Sequence, residues 1–133
     1  MAITTTTRVA PTDATRLLAI ETSPNMSGER APELGLWSNG DVIVVTHGRQ
    51  AGPKTEERIA TLDMALIKRV QARIAALGPE GPPKEREKHD GAGARSVCFT
   101  AQARIDLSRV PRSSERDALL ELIASLEVLA RSR

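Results

Sequence analysis

The near absence of aromatic residues constrains what this chain can fold into more than any other feature of its sequence. Its 133 residues include one tryptophan, Trp37, one phenylalanine, Phe99, and no tyrosine. A chain of this length typically buries roughly two-thirds of its unfolded surface, so we predict one domain over residues 1–133 with a core of leucine, isoleucine, valine and alanine. A second copy that covers one face would complete such a thin core, which favours an obligate oligomer.

The charge of the chain is balanced rather than strongly basic. Nineteen lysines and arginines stand against seventeen acidic residues, so nucleic acid would bind only through a local basic face. The single cysteine, Cys98, excludes an internal disulfide and fits a reducing compartment. No apolar run approaches the roughly 20 residues of a membrane-spanning helix, and the threonine-rich N-terminus lacks a signal-peptide pattern. We expect a protein made in the cytoplasm, with no membrane partner.

Strands and turns are predicted over the first half of the chain. An N-terminal β-hairpin is predicted within residues 1–22, where a β-branched run, a proline-containing turn and an apolar run follow one another. Further strands of the sheet are predicted within residues 34–77. Asn39 and Gly40 lie between two apolar runs there, which is the strongest short-range hairpin signal, and residues 41–47 are the clearest strand.

Residues 55–77 fit two structures. Apolar residues three or four positions apart predict an amphipathic helix with capping residues at both ends. Alternation over the shorter stretch 58–68 predicts a strand in which Leu62, Met64 and Leu66 share one face. Local propensity slightly favours the helix, and local sequence alone leaves both structures open.

The second half of the chain predicts a loop, a strand and a helix. Residues 78–95 are rich in proline, glycine and charge, and they predict a long polar loop. Residues 96–108 alternate apolar and polar and predict the last strand of the sheet. Phe99 falls on the apolar face of that strand, so no aromatic residue is expected on its polar face. A leucine-rich helix is predicted over residues 113–131, opened by serines that favour helix N-caps.

The sequence contains no recognisable catalytic or metal-binding constellation. The two histidines, His47 and His89, and the single cysteine lack the spacing of metal ligands. Residues 91–93 resemble part of a phosphate-binding loop, but the lysine and hydroxyl residue that complete such a loop do not follow. We therefore predict a protein that is not an enzyme and that uses neither metal nor cofactor.

Two consecutive segments near the C-terminus resemble the coat proteins of single-stranded RNA bacteriophages of the levivirus type. The first is the alternating run at 96–107, and the second, at 110–120, reads Val-Pro-Arg-Ser-Ser-Glu and continues into leucines. The coat-protein family has a last alternating strand, a turn rich in proline, serine and threonine, and leucine-rich helices in this order. The family has two C-terminal helices, whereas this sequence predicts one.

The resemblance implies an α+β fold, in which an N-terminal β-hairpin and an antiparallel sheet are followed by C-terminal helices. It further implies an intertwined homodimer, with the helices of each chain packed on the sheet of its partner. It requires residues 58–68 to be a strand, and we adopt that interpretation. The dimer interface would then contain Leu62, Met64, Leu66, Leu119, Ile123 and Leu126.

The function implied by the resemblance is structural. A capsid protein of this kind dimerises and assembles into an icosahedral virion shell around single-stranded RNA, after synthesis in the cytoplasm of the bacterial host. The polar face of the sheet would contact RNA, with arginines on phosphates and hydroxyl or amide groups on an exposed base. The residues implied are Arg49, Arg58, Thr61, Asp63, Lys68, Thr100, Gln102 and Arg104.

A different function follows if residues 55–77 form a helix. That helix and the one predicted at 114–130 would form an α-hairpin, the architecture of a small adaptor or regulatory protein that binds another protein. The structure of the 55–77 segment therefore discriminates between the coat protein and the adaptor.

Overall fold

A computed structural model describes residues 14–24, 28–48, 53–82 and 93–132 of the chain. The described elements are β1 (Arg16–Ser23), β2 (Glu33–Trp37), β3 (Asp41–Thr46), β4 (Thr55–Thr61), α1 (Met64–Ala75), β5 (Gly93–Phe99), β6 (Arg104–Asp106), a 3₁₀ turn (Leu107–Arg109) and α2 (Ser114–Arg131). The six strands form one sheet in the order β4-β3-β2-β1-β5-β6, and every pairing is antiparallel. The predicted α+β class, an antiparallel sheet followed by a C-terminal helix, is confirmed.

Both helices pack on the same face of the sheet, which we call the covered face. Helix α1 contributes Ile67, Val70 and Ile74 to the core. Side chains of alternate strand residues pack against the helices. Burial of each such side chain contributes about 1.5–3 kcal/mol to the free energy of unfolding. The sheet residues of the covered face are Leu18, Ile20, Leu34, Leu36, Val42, Val44 and Cys98.

Helix α2 forms where the sequence predicts it. The Ser113 hydroxyl accepts a hydrogen bond from the backbone N–H of Arg116 at 3.1 Å and thereby caps the helix. Its buried residues, Leu119, Ile123 and Leu126, are at most 4% exposed and lie in the core of their own chain. These three residues were predicted at the interface of an intertwined dimer, which stays a prediction, but here they already cover their own sheet.

The Asn-Gly hairpin between β2 and β3 is also confirmed. The N–H of Gly40 donates to the carbonyl of Trp37 at 2.9 Å, and Gly40 has a φ of +96°. The carbonyl of Gly40 accepts from the N–H of Leu62 at 2.8 Å, and a Cβ at Gly40 would overlap the carbonyl oxygen of Leu62. Only glycine satisfies both the left-handed backbone and this close approach.

The prediction of a strand throughout residues 58–68 is wrong. Strand β4 ends at Thr61, and α1 begins at Met64 after the cap residue Asp63, whose carboxylate accepts from the N–H of Leu66 at 3.0 Å. Met64 and Leu66 therefore lie on a helix, and Leu62 lies in the short link before it. A helical period of three and four residues buries the apolar positions of α1, whereas alternation would have left half of them on the opposite face.

The single strand predicted over residues 96–108 is in fact a β-hairpin. Strands β5 and β6 are connected by a turn in which the N–H of Thr100 donates to the carbonyl of Ala103 at 2.9 Å. The Thr100 hydroxyl accepts from the N–H groups of Gln102 and Ala103. Because the chain reverses here, Phe99 pairs with Arg104 and shares its face, contrary to the predicted alternation.

The predicted N-terminal hairpin and the predicted long polar loop are each described in part. Of the N-terminal hairpin, the second strand corresponds to β1, and residues 1–13 lie outside the described residues. Of the predicted loop 78–95, residues 83–92 lie outside them too, and Gly93–Arg95 belong to β5. The described part runs along β6, where the Glu80 carboxylate accepts from the N–H of Asp106 at 2.8 Å.

Cys98 lies on the covered face and is fully buried. Burial, together with the charge of the Glu80 carboxylate, raises the pKa of its thiol to about 11. The thiol therefore stays protonated near neutral pH and acts as a small apolar side chain in the core.

Candidate nucleic-acid interface

Neither helix lies on the opposite face of the sheet, which we call the open face. Its residues alternate with those of the covered face, and the strand register places them in rows. The central row, which contains Ile43, Gly35, Ala19 and Val97, is apolar and buried, whereas charged and aromatic residues surround it. The open face contains Ala19, Glu21, Glu33, Gly35, Trp37, Asp41, Ile43, Val45, Glu56, Arg58, Thr61, Arg95, Val97, Phe99, Arg104 and Asp106, with Arg16 opposite Trp37.

Two arginines and an aromatic ring are grouped around Glu21 on the open face. The Glu21 carboxylate contacts Arg104 Nη2 at 2.7 Å through Oε1 and Arg16 Nη2 at 3.1 Å through Oε2. The guanidinium carbon of Arg16 lies 4.6 Å from the centre of the Phe99 ring, within the range of a cation–π interaction. In this Glu21 cluster, defined by Arg16, Glu21, Phe99 and Arg104, two guanidinium groups share one carboxylate.

Gly35 makes room for the long side chains that cross the sheet beside this cluster. A Cβ built on Gly35 would lie 3.2 Å from Cδ of Arg16 and 3.5 Å from Nε1 of Trp37. Arg16 and Trp37 are partners across β1 and β2, and a bulge in β1 follows Arg16. The glycine therefore lets the arginine and the indole lie flat over the centre of the sheet.

Two buried carboxylates hold further arginines on the open face. Asp106, which is only 2% exposed, contacts Arg95 Nη1 at 3.2 Å and accepts hydrogen bonds from Ser108. Burial alone would raise the pKa of Asp106, but the Ser108 hydrogen bonds and the Arg95 guanidinium together lower it below its ordinary value. Asp41 contacts Arg58 Nη1 at 3.7 Å and accepts from the Thr61 hydroxyl at 3.2 Å.

A fourth carboxylate, Glu33, lies on β2 next to the Ile20–Leu34 pair and contacts several groups. It accepts from the N–H of Thr22 at 2.9 Å and contacts Arg30 at 3.1 Å and Nε2 of His47 at 2.9 Å. Burial raises its pKa, but these partners outweigh burial and lower the pKa of Glu33 below its usual value. Five arginines thus contact four carboxylates on this side of the sheet, so ion pairs fix the positions of the guanidinium groups.

The structure separates the residues that the resemblance placed against RNA. Arg58, Thr61 and Arg104 lie on the open face, and Thr100 and Gln102 lie in the β5–β6 turn at its margin. The remaining three do not join them. Asp63 caps α1 and Lys68 lies on that helix, in the opposite layer, while Arg49 lies outside the described residues.

Sequence reasoning missed Glu21 and its neighbours on the open face: Arg16, Trp37, Arg95 and Phe99. The expectation that the face has no aromatic residue is wrong, because the β5–β6 turn moves Phe99 to the side of Arg104. The signal that identifies Arg16 and Arg95 is the register of β1 against its two neighbours. That register is set by pairing between distant segments, which the local sequence does not encode.

No protein-family model, curated protein or solved structure matches this chain. Among the residues that the structure describes, no group of three or more histidine, cysteine, aspartate or glutamate side chains is arranged to hold a metal ion. In the same part of the chain, neither helix is long and apolar enough to cross a membrane. A functional assignment therefore depends on the geometry of the open face.

Proposed function

We propose that this protein is a non-enzymatic coat protein, which binds single-stranded RNA through its open face and assembles with copies of itself into a virion shell. The observation that carries the proposal is the Glu21 cluster, in which two arginines and an aromatic ring meet on a face that neither helix covers. Arginine and aromatic side chains together supply the two contacts that a single strand offers, to phosphate and to base.

Phosphate binding uses the guanidinium N–H donors of Arg16 and Arg104 that do not contact Glu21. A guanidinium group has five N–H donors. Glu21 accepts from one of them on Arg16 and from two nitrogens of Arg104, and both arginines are partly exposed. The remaining donors bind phosphate oxygens, and Glu21 keeps both guanidinium groups pre-oriented for that contact.

Base stacking uses the Arg16 guanidinium, which itself lies over the Phe99 ring. Phe99 is covered on one side by the Arg16 guanidinium, so an unpaired base stacks on the outer surface of that guanidinium. Each stacked base is worth about 1–3 kcal/mol in single-strand binding. Arg95 and Arg58 extend the track of phosphate contacts toward the two edges of the sheet.

Assembly uses the helical layer rather than the long edge strand. Strand β4 is at the edge of the sheet, but Glu56, Glu57 and Arg58 and a local register shift discourage a further strand from pairing there. Among the residues that the structure describes, the exposed large apolar side chains belong to the helices: Met64 on α1, and Val128 and Leu129 on α2. Contacts between helical layers leave the open face of each copy free for RNA.

Electron microscopy of the purified protein, together with its absorbance ratio at 260 and 280 nm, tests this proposal. Uniform round particles that contain nucleic acid are the expected result. A small species without nucleic acid, which stays small when single-stranded RNA is added, would contradict both parts of the proposal. Particles without RNA would contradict only the role of the open face.

The adaptor interpretation has one observation in its favour, since helix α1 occupies Met64–Ala75 of the segment that it required to be helical. It required a helix throughout residues 55–77, but residues 55–61 form β4. The two helices do contact each other, yet their apolar residues are buried against the sheet of their own chain. Among the described residues, the exposed large apolar side chains of the helices are Met64, Val128 and Leu129. They do not follow the spacing of three and four residues that forms an apolar stripe for binding a partner.

A further inference from the structure

A groove of about 410 Å³ opens beside the Glu21 cluster, between the C-terminal part of α1 and the β5–β6 turn. Its walls are apolar and include Leu17, Ile74 and Phe99. Uncharged polar groups at its margin belong to Thr15 and Gln71. A mostly apolar concavity of this volume with a few polar groups is typical of small-molecule sites, which span about 300–1,000 Å³.

The groove has an uneven charge. Among the described residues that line it, Arg16 is the charged one, and no carboxylate lines it. The counter-ion of Arg16 is Glu21, which Arg104 contacts more closely, at 2.7 Å against 3.1 Å. The electrostatic environment of the groove therefore favours an anion at the Arg16 end and an apolar group along the rest.

A second groove at the opposite end of the sheet provides an internal comparison. It has a volume of about 280 Å³ and lies beneath the C-terminal end of α2. Glu33 and Glu127 line it together with one cation, Arg131. Its two carboxylates disfavour an anion. Both grooves have apolar walls, so the charge of the lining residues is what distinguishes them.

We infer that the groove beside Arg16 binds a small organic anion with an apolar body, of the alkyl carboxylate class. The apolar body lies against Leu17, Ile74 and Phe99, and the carboxylate accepts hydrogen bonds from the Arg16 guanidinium. This site goes beyond RNA binding. It shares Arg16 and Phe99 with the proposed RNA contacts, and titration with small ligands in the absence of RNA tests it separately.

Isothermal titration with three ligands of equal chain length tests the inference. Octanoate, octanol and octylammonium have the same apolar body and differ in the charge of the head group. Octanoate is expected to bind about tenfold more tightly than octanol, because it forms a charge-assisted hydrogen bond, and octylammonium is expected to bind most weakly. Equal affinity for octanoate and octanol, or no binding of either, would overturn the inference.

Variants place the binding in this groove. Arg16→Gln is expected to reduce the affinity for octanoate to that for octanol and to leave octanol binding unchanged. Arg131→Gln, which removes the same charge from the other groove, is expected to change neither. Ala75→Phe changes an exposed helical position that lines the groove. The larger side chain is expected to fill the groove and to weaken the binding of both octanoate and octanol. This variant tests the location even if the Arg16 variant folds poorly. Unchanged octanoate binding in folded Arg16→Gln or Ala75→Phe protein would refute the assignment.

Discussion

The two faces of the sheet are formed by the same strands, but different interactions stabilise them. On the covered face, buried side chains of four strands and the 3₁₀ turn pack with two helices into one core. On the open face, small residues such as Ala19 and Gly35 lie among ion pairs. Arg95 and Asp106 connect the neighbouring strands β5 and β6, and Arg104 and Glu21 connect β6 to β1. Packing therefore determines the fold from one side, and the other side keeps charged groups at defined positions without a helix to support them.

The largest effect is expected from a cavity on the covered face. Leu119→Ala should lower the free energy of unfolding by about 2–5 kcal/mol, because Leu119 is fully buried between α2 and the sheet. Leu129→Ala on the same helix should change it by less than about 0.5 kcal/mol, because Leu129 is exposed. Urea denaturation followed by circular dichroism measures both, and similar losses in the two variants would contradict the assignment of the covered face.

A buried carboxylate of the open face should have a smaller effect that depends on pH. Asp106→Asn should cost about 1.5–3 kcal/mol at neutral pH, because it weakens hydrogen bonds to a charged group. The folded-state pKa of Asp106 is lowered, so its contribution is present above the unfolded-state pKa of about 3.9 and is lost as the pH falls through the lower folded-state pKa.

The pH dependence separates this carboxylate from an exposed one. The stability difference between the natural protein and Asp106→Asn should be full at pH 7 and should shrink as the pH is lowered below about 4. Asp117→Asn, which removes an exposed carboxylate from the first turn of α2, is the control. A stability difference for Asp106→Asn that is the same at both ends of this range would show that the charge of Asp106 contributes nothing.

RNA affinity should depend on the open face with little change in stability. Arg104→Gln should weaken the binding of a fluorescent single-stranded RNA about tenfold and reduce the salt dependence by about one phosphate contact. Its partly exposed ion pair contributes at most about 1 kcal/mol to folding. Arg69→Gln removes the same charge from the exposed surface of α1, and its RNA affinity should stay unchanged. Equal losses in the two variants would mean that RNA does not distinguish the faces.

The smallest effect is expected at a residue that the resemblance assigned to RNA and the structure places at a helix cap. Asp63→Ala should cost about 1 kcal/mol of stability, because its carboxylate caps α1. RNA affinity measured by fluorescence anisotropy should stay the same within error. A loss of RNA binding in a folded Asp63→Ala protein would return the helical layer to consideration as the RNA-binding surface.

The elements with strong local signals could be predicted from the sequence. Helix α2 combines a serine cap with leucines at helical spacing, and the β2–β3 hairpin contains Asn39 and Gly40, whose residue types suit the turn. The 55–77 segment was harder, because a strand and a helix follow one another there and each period fits part of it. Asp63 marks the boundary, but an aspartate inside an alternating run is also compatible with a strand.

The site was predicted less well than the fold, for a physical reason. The turn at Thr100 contains neither glycine, proline nor asparagine, so alternation continues across it in the sequence while the chain reverses in space. Glu21 and Arg104 are 83 positions apart, and their contact depends on the register of three strands. Such a cluster follows from tertiary pairing, which periodicity within a single segment does not reveal.

The buried thiol of Cys98 allows the local opening of the core around β5 to be measured by the rate of thiol labelling. A thiol reagent reacts with the thiolate, and this group is both fully buried and held protonated by its raised pKa. Labelling therefore proceeds only during the brief intervals in which β5 separates from the core, and its rate measures the free energy of that opening. Cys98 lies on the covered face, so labelling it does not chemically alter the open face. The labelling rate therefore measures how a ligand bound to the open face changes the free energy of opening.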